Sequence, residues 1–375
     1  MNFTLDPDHE ALRDAARAFL SKEVRLGDLL APGATLKDAA YDRIWQGMVS
    51  LGWPAMAIPE EYDGLGMSML DLAMVVGEAG RHLAPCALFG TLAGAWAVEH
   101  AGSDSQKREI LGAVAAGKMK LALAVADADG SLNGPASHVR AESSGAGWTL
   151  SGHKSFVVDG SAADRLVVAA SLDGVRKFFL VDRRQAGVRV DVLDWRDLSR
   201  QVCTLSLDGV PGELLAESSD ATWPWVRDRL YVVLAAESAA GAAKVLEDTV
   251  AYAKERTAFG KPIGAFQAIK HQLADLLGWS TAATAGVHYA AWALSEGEPR
   301  ATLAAAMAQA YASEAYREIT ARSIQVFGAI GFTWEMHNHL YYKRARANAE
   351  LLGAPSVQRE EVIRLVEADP AILEF

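Results

Sequence analysis

Apolar residues recur every three or four positions from about Asp6 to about Lys120, the spacing that places them on one face of a helix. The first such face is formed by Leu12, Ala15, Ala16, Phe19 and Leu20. One loop, PEEYDGLGMS, interrupts the pattern: Gly64 and Gly66 favour a turn, and Ser68 is a suitable cap for the apolar helix that follows. The pattern therefore predicts an N-terminal helical domain over residues 1–120.

Between residues 121 and 218 the pattern changes to short apolar runs bounded by Gly, Asp and Ser, which indicates β-strands. The runs are LALAVAD, GWTLSG, KSFVV, RLVVAA, KFFLVD, VRVDVL and CTLSLDG. Because no helical segment separates them, we expect antiparallel strands in a barrel or sandwich and not a parallel sheet.

Helical spacing returns over residues 219–375. The segment LYVVLAAESAAGAAKVLEDTVAYAKE predicts one long helix, and FQAIKHQLADLLGWSTAATAGVHYAAWALSEG predicts another. Phe266, Ile269, Leu273 and Leu276 share one face of the second helix. No repeat or flexible linker separates the three regions, so we expect them to form one compact unit.

Composition narrows the class of protein. The chain has 375 residues, of which 51% are hydrophobic, and a net charge of -11 that disfavours nucleic acid and anionic membrane surfaces as partners. Cys86 and Cys203 are too few for a disulfide framework. The spacing of His337 and His339 places them on opposite sides of a helix, so we expect no metal site. The N-terminus is acidic and amphipathic, and no apolar run reaches membrane-spanning length; we expect no membrane insertion and a cytoplasmic location.

The segment Tyr252–Leu277, YAKERTAFGKPIGAFQAIKHQLADLL, resembles the C-terminal helical domain of acyl-CoA dehydrogenases. PEEYDGLGMS, GWTLSGHKSFVVDG and QVFGAIGFTWE agree with the same family in the same order, so the resemblance covers nearly the whole chain. It implies an α+β multidomain fold: an N-terminal helical domain, a middle antiparallel β-barrel or sandwich, and a C-terminal four-helix bundle.

The resemblance also implies that FAD is held between subunits. In that case Arg256, Phe259 and Gln267 contact the FAD of the adjoining subunit, and a guanidinium is well suited to binding a diphosphate through two parallel hydrogen bonds. Gln325 with Gly328 is similar to the second cofactor clamp of the family. Ala329 and Ile330 stand where a further glycine and a polar residue are usual.

The base of the family's reaction is missing from its usual position. That reaction removes an α-proton from an acyl thioester with a carboxylate while the β-hydrogen leaves as hydride to the flavin. Alignment on Gln358 and Arg359 places Leu352 at the usual glutamate position, with Gly353 after it. Some relatives carry the carboxylate at a second position, and here that position is Leu230.

Three carboxylates lie near these two positions in sequence. Asp228 is two residues from Leu230, Glu237 lies two helical turns beyond Leu230, and Glu350 is two residues before Leu352. Asp228 and Glu237 are the candidates for a displaced base. The alternatives are a helix-start acid for Asp228, a polar residue satisfied within the helix packing for Glu237 and a surface charge for Glu350.

The flavin-facing segment departs from the family as well. Val158 occupies the place of a threonine whose hydroxyl bonds near flavin N5, and Phe156 replaces a tryptophan that covers the ring. ADA at 126–128 stands where the family often has Thr-Glu-Pro. Two hydrogen-bonding side chains are therefore absent from this face.

Three hypotheses follow. In the first, the chain is the base-less, FAD-sharing partner in an α2β2 complex, resembling the paired dehydrogenases of actinobacterial steroid side-chain degradation. In the second, it is a self-sufficient homotetrameric dehydrogenase with a displaced base, acting on an acyl-CoA thioester and passing electrons to an electron-transfer flavoprotein. In the third, it is a flavin-free helical assembly protein. The intact ERTAFGKPIGAFQ segment disfavours the third.

Overall fold

The N-terminal third is helical, as the apolar spacing predicts. The computed structural model describes residues 5–27, 38–132, 138–145 and 147–373. The first helices are Pro7–Glu23 (α1), Asp38–Ser50 (α2), Met69–Arg81 (α3), Leu88–Ala101 (α4) and Asp104–Ala115 (α5). Ser68 caps α3 in a reciprocal pair of hydrogen bonds with Asp71, so the predicted helix start is confirmed. The loop before it contains short 3₁₀ turns at Trp53–Ala55 and Glu60–Tyr62.

The middle region is a seven-stranded sheet. Its strands are Leu121–Ala124 (β1), Arg140–Ser144 (β2), Gly147–Val158 (β3), Arg165–Leu172 (β4), Val175–Asp182 (β5), Val188–Val192 (β6) and Val202–Leu214 (β7). The pairings run from β4 through β2, β3, β7 and β5 and return to β4, while β6 pairs with β7. The sheet therefore closes into a small barrel, as predicted.

One part of the strand prediction is wrong: the sheet is not purely antiparallel. β1 pairs with β4 in parallel, with Leu121 opposite Arg165 and Ala124 opposite Val168, and β2 meets β4 in parallel at one position. Direct hairpin connections enforce antiparallel pairing, but β1 and β4 are separated by the whole β2–β3 hairpin. That long connection lets β4 run in the same direction as β1.

The C-terminal region is helical. Its helices are Thr222–Glu255 (α6), Gln267–Ser295 (α7), Ala301–Phe327 (α8), Asn338–Glu350 (α9) and Pro355–Ala368 (α10), with 3₁₀ turns at Ile263–Ala265, Gly328–Phe332 and Pro370–Leu373. A short hairpin of Thr257–Ala258 (β8) and Lys261–Pro262 (β9) joins α6 to α7. Both long helices expected from the sequence, α6 and α7, are present. They pack against each other and against α8.

One cluster of buried side chains crosses all three regions. Trp96 of α4, Val167 of β4 and Leu234 of α6 belong to the same cluster of buried apolar side chains. Helices α3 and α6 approach closely at Gly80, where an added Cβ would lie 2.5 Å from the Cα of Glu237. The domain limits near residues 120 and 218 stay a prediction.

The described residues lack a membrane-spanning helix and a cluster of metal-binding side chains. No helix among them is both long and apolar enough to cross a membrane. In that same part of the chain, no group of three or more His, Cys, Asp or Glu side chains is arranged to hold a metal ion.

Candidate functional site

The two positions at which a base is expected lie in one cavity. Leu230 on α6 and Leu352, just before α10, line a cavity of about 40 Å³. The residues that complete its wall have no ionisable side chain: Phe89, Gly90, Ala93, Leu123, Val125, Ala126, Leu132, Phe156, Val158, Trp223 and Leu351. Ligand sites in proteins are typically of the order of 300–1,000 Å³. The cavity therefore has no acid–base group in its lining and no room for a substrate.

The two flavin-facing positions named from the sequence, Phe156 and Val158, are part of this wall. Val158 is buried, whereas Phe156 is 41% exposed and its ring centroid lies 6.0 Å from that of Trp195. The pairing of β3 with β7 shifts register between Lys154 and Val157, and Phe156 has a φ of 53° within that shift. The irregularity turns the phenyl ring out of the regular side-chain alternation of β3.

The backbone around Leu352 is fixed by Gln358. The buried Gln358 amide donates hydrogen bonds from Nε2 to the carbonyl oxygens of Leu352 at 3.2 Å and Gly353 at 2.9 Å. Gly353 has a φ of 95°, which a residue with a Cβ adopts only with strain. The segment around Gln358, on which the sequence was aligned with the family, therefore holds Leu352 in the cavity.

Asp228, the first candidate for a displaced base, is engaged in structural contacts. Its Oδ1 accepts hydrogen bonds from the Arg227 guanidinium at 2.8 and 3.2 Å, and its Oδ2 accepts one from the Thr302 hydroxyl at 2.7 Å. Arg227 also pairs with Glu361 on α10 at 2.6 Å. These contacts join the start of α6 to α8 and α10. Glu350 is exposed at the end of α9.

Glu237, the second candidate, belongs to a buried charge network. The Arg200 guanidinium donates to its two carboxylate oxygens at 2.8 and 2.6 Å and to Asn348 Oδ1 at 3.2 Å. Arg344 lies 3.5 Å from Glu237 and also pairs with Asp197. Both arginines are at most 7% exposed. Glu237 therefore joins α6 to α9 and to the loop between β6 and β7.

Asp159 is a buried carboxyl that the sequence interpretation did not select, although it is the penultimate residue of the quoted segment GWTLSGHKSFVVDG. Its Oδ1 accepts a hydrogen bond from the Tyr41 hydroxyl at 2.5 Å, and its Oδ2 accepts one from the Gly90 backbone N–H at 2.9 Å. Burial raises the pKa of this carboxyl to about 6. Its neighbours Val158 and Gly90 both line the cavity. Through these two hydrogen bonds, the Asp159 carboxyl connects the end of β3 to α2 and α4.

The residues named for cofactor binding at the α6–α7 junction are on the surface. Arg256 follows the last residue of α6, is exposed, and makes no side-chain hydrogen bond or ion pair with any residue that the structure describes. Phe259, at the turn of the β8–β9 hairpin, has a φ of 51° and is 94% exposed. Its ring makes a T-shaped contact with the ring of Phe266, with the two centroids 6.2 Å apart. Gln267 opens α7 and is also exposed.

The second proposed clamp lies at the end of α8. Gln325 is exposed, and Gly328, with a φ of 71°, ends the helix. The Phe327 ring stacks on Tyr252, one turn before Arg256, with ring centroids 4.0 Å apart. This stack places the ends of α6 and α8 side by side. The structure thus brings the two clamps to one end of the helical bundle and presents both outward.

Comparison with known proteins identifies the class. Residues 6–118 match the model of the acyl-CoA dehydrogenase N-terminal domain, and residues 228–366 match that of the C-terminal domain. Acyl-CoA dehydrogenase IpdE2 of Mycobacterium tuberculosis is 33% identical over 368 residues, covering 96% of this chain and 97% of that protein. The chain belongs to the acyl-CoA dehydrogenase family of FAD-dependent oxidoreductases, so the resemblance, the enzyme class and the FAD cofactor inferred from the sequence are confirmed.

Solved structures agree with this assignment. A variant of the Tcur3481–Tcur3483 steroid ACAD is 27% identical, with a TM-score of 0.86 over 98% of this chain and 100% of the matched chain. The ChsE4–ChsE5 complex from Mycobacterium tuberculosis has the same fold, with a TM-score of 0.87 and 24% identity over 98% of this chain and 99% of the other.

The two ends of FAD fit this chain unequally. At the diphosphate end, the exposed Arg256 has free donors and Phe259 has a free ring face, which suits a group brought by another subunit. At the ring end, the cavity beside Val158 and Leu352 is about 40 Å³ and no ionisable side chain lines it. The residues present fit the diphosphate half and do not fit the isoalloxazine half.

Proposed function

We propose that this chain is the base-less subunit of a heteromeric acyl-CoA dehydrogenase, and that it shares FAD with a second subunit that carries the base. The observation that carries the proposal is the cavity in which Leu230 and Leu352 meet. α-Proton removal needs a carboxylate within hydrogen-bond reach of the substrate. Both positions for that carboxylate hold leucine, and the cavity that they line measures about 40 Å³.

The contacts of the nearby acids support the same reading. Asp228 is bonded to Arg227 and Thr302, and Glu237 to Arg200. A carboxylate held by a buried guanidinium is a poor proton acceptor, because protonation would leave the arginine charge uncompensated. These side chains join helices and loops to each other, and neither lines the cavity.

The exposed cofactor clamps define what this chain contributes. In the proposed complex, Arg256 binds the diphosphate of FAD, Phe259 and Gln267 flank it, and Gln325 with Gly328 approaches the adenosine end. FAD, when bound, accepts the hydride that leaves the β-carbon of the substrate. The second subunit removes the α-proton and covers the flavin ring, which leaves Phe156 and Val158 of this chain as packing residues.

The substrate and partners follow from the likeness to other members of the family. The similarity to the Tcur3481–Tcur3483 steroid ACAD supports an acyl-CoA thioester attached to a steroid or another lipid side chain. The occurrence of this fold in the ChsE4–ChsE5 complex supports a search for a second dehydrogenase subunit in an α2β2 assembly. Electron-transfer flavoprotein is the proposed electron acceptor.

The test is to purify the chain alone and together with the dehydrogenase encoded beside it, and to measure bound flavin by absorbance and acyl-CoA turnover with an artificial electron acceptor. Flavin and turnover in the complex alone are the expected result. Flavin and turnover by the lone chain would overturn the proposal in favour of a homotetramer with a displaced base. A colourless complex with no turnover would instead favour a flavin-free assembly protein.

A further inference from the structure

An exposed aromatic surface lies beside the proposed adenosine clamp. We define the Trp334 patch as Ile330, Phe332, Trp334, His339 and Lys343; its three apolar members are 36%, 62% and 45% exposed, respectively.

The patch is attached to the end of α8. Asn338, the first residue of α9, donates from Nδ2 to the Ser323 hydroxyl at 2.8 Å, two residues before Gln325. The 3₁₀ turn Gly328–Phe332 then connects Gln325 to Trp334 along the chain. The patch therefore continues the surface that carries Arg256 and Gln325.

His339 is the unusual member of the patch. It is 3% exposed, and its Nε2 atom is buried without a hydrogen-bond partner among the described residues. Its ring lies 4.8 Å from the Trp334 ring and 6.5 Å from that of Phe332. Burial lowers its pKa to about 4, so the ring is neutral at physiological pH. Because buried polar atoms in folded proteins nearly always have a partner, an unpaired ring nitrogen indicates a group that arrives from outside.

The patch has a cation beside its tryptophan although the chain is acidic overall. The Lys343 Nζ lies 4.8 Å from the centre of the Trp334 ring. Burial lowers the pKa of Lys343, and the nearby positive charge of Arg196 lowers it further. An aromatic ring with adjacent cations is the combination that binds a base and its phosphates.

We propose that Trp334, Lys343 and His339 form a further contact for the adenosine diphosphate half of FAD, beside Arg256 and Gln325. Trp334 provides a stacking surface for the adenine. Lys343 moves its ammonium group from the Trp334 ring to the diphosphate, and His339 forms a hydrogen bond with the bound nucleotide through Nε2. The inference rests on the proposed sharing of FAD. It adds that this chain supplies a stacking and a charged contact to the nucleotide half of the cofactor.

The test is isothermal titration of the purified full-length chain with ADP and, separately, with FMN. We expect ADP to bind and FMN not to bind. Trp334→Leu should weaken ADP binding by roughly tenfold or more, since stacking of one base on an aromatic ring is worth that much. Trp334→Phe should recover most of the affinity, and Lys343→Met should weaken binding and reduce its salt dependence.

Trp279 is a matched control. It is also exposed, at 38%, and carries the Arg322 guanidinium 5.6 Å from its ring centre, but it lies on α7 and outside the patch. Trp279→Leu should leave ADP binding unchanged. Circular dichroism of each variant shows that it is folded.

Other outcomes separate this inference from the proposed function. If Arg256→Met abolishes ADP binding and Trp334→Leu does not, the inference is overturned and FAD sharing stands. If the lone chain binds no ADP, the deciding measurement is FAD retention by the complex. Loss of FAD from the Trp334→Leu complex supports the patch as a cofactor contact, and unchanged FAD retention overturns the inference. An effect of Trp334→Leu on assembly alone would also overturn it, since the patch would then be a protein contact. A wild-type complex without FAD would overturn the proposed function itself.

Discussion

The guanidinium of Arg200 donates to both carboxylate oxygens of Glu237, at 2.8 and 2.6 Å, and both side chains are buried. Arg200 precedes β7, and Glu237 lies in the middle of α6, so the pair joins the barrel to the helical bundle. The Arg200 guanidinium also lies 4.9 Å from the centre of the Phe89 ring. Phe89 lines the same cavity as Leu230 and Leu352. Glu237, one of the two candidates for a displaced base, therefore has a structural partner.

Breaking this pair should destabilise the protein strongly. Arg200→Met leaves the Glu237 carboxylate buried with only Arg344 and Asn348 nearby, so we expect a loss of about 3–5 kcal/mol in the free energy of unfolding. Urea denaturation at pH 7 measures it. Arg189→Met, which removes the exposed pair with Asp191, is the control and should cost less than about 1 kcal/mol.

Glu237→Gln tests whether this carboxylate is instead the base. We expect lower stability, because the amide replaces a charged partner of two buried arginines, and unchanged turnover per folded complex. Turnover of the complex is measured after correction for the folded fraction. A drop of about 100-fold in turnover with unchanged stability would make Glu237 the base.

Restoring a carboxylate at the usual position should not restore activity. Leu352→Glu places an acid in a cavity of about 40 Å³ whose lining contains no ionisable side chain. Desolvation should raise the pKa of the new carboxyl above its unfolded value of about 4.3, so the destabilisation should appear as the pH rises above that value. Thermal melting at pH 4 and pH 8, together with turnover of the lone chain, tests this expectation.

Leu352→Gln is the neutral control for that variant. It should be destabilised about equally at pH 4 and pH 8, because the amide does not titrate and its cost is that of an unpaired buried polar group. If Leu352→Glu gave acyl-CoA turnover by the lone chain, the cavity would admit substrate and the base-less assignment would be wrong.

Local sequence signals predicted the helices and strands well and identified the two leucines that stand at the expected positions of the base. Ser68 marked the start of α3 because its hydroxyl caps that helix through contacts within one turn. Leu230 and Leu352 could be named because the family's order of segments runs through the whole chain. Their meeting in one cavity, however, depends on how α6 packs against the segment before α10, and no local pattern contains that information.

The buried charges were the part that sequence could not reveal. Arg200 and Asp159 stand in short polar stretches that predict a loop or a strand end. Their partners, Glu237 and Tyr41, come from distant helices. The parallel pairing of β1 and β4 was missed for the same reason, since it follows from a long connection and not from the strands themselves.

Arg256 should be needed for FAD binding and not for folding. Because its exposed side chain makes no described contact, Arg256→Met should change the free energy of unfolding by less than about 0.5 kcal/mol. Loss of charge-assisted hydrogen bonds to the diphosphate should weaken FAD binding by the complex roughly tenfold or more. Flavin fluorescence after dialysis measures it. Lys254→Met, an exposed cation two residues earlier, is the control, and equal flavin retention by the two variants would contradict the assignment.

Asp159 should make stability depend on pH between about 4 and 6. Burial raises its folded-state pKa from 3.8 to about 6, so the folded protein holds a proton that the unfolded chain releases, and stability falls as the pH rises through this range. Asp159→Asn can keep both contacts, since its oxygen accepts from Gly90 and its amide donates to Tyr41. Above pH 6 the variant should therefore be more stable than wild type, by up to about 3 kcal/mol. Urea denaturation at pH 4.5 and pH 7 measures the difference, and parallel pH profiles for the two proteins would show that Asp159 is ionised in the folded state.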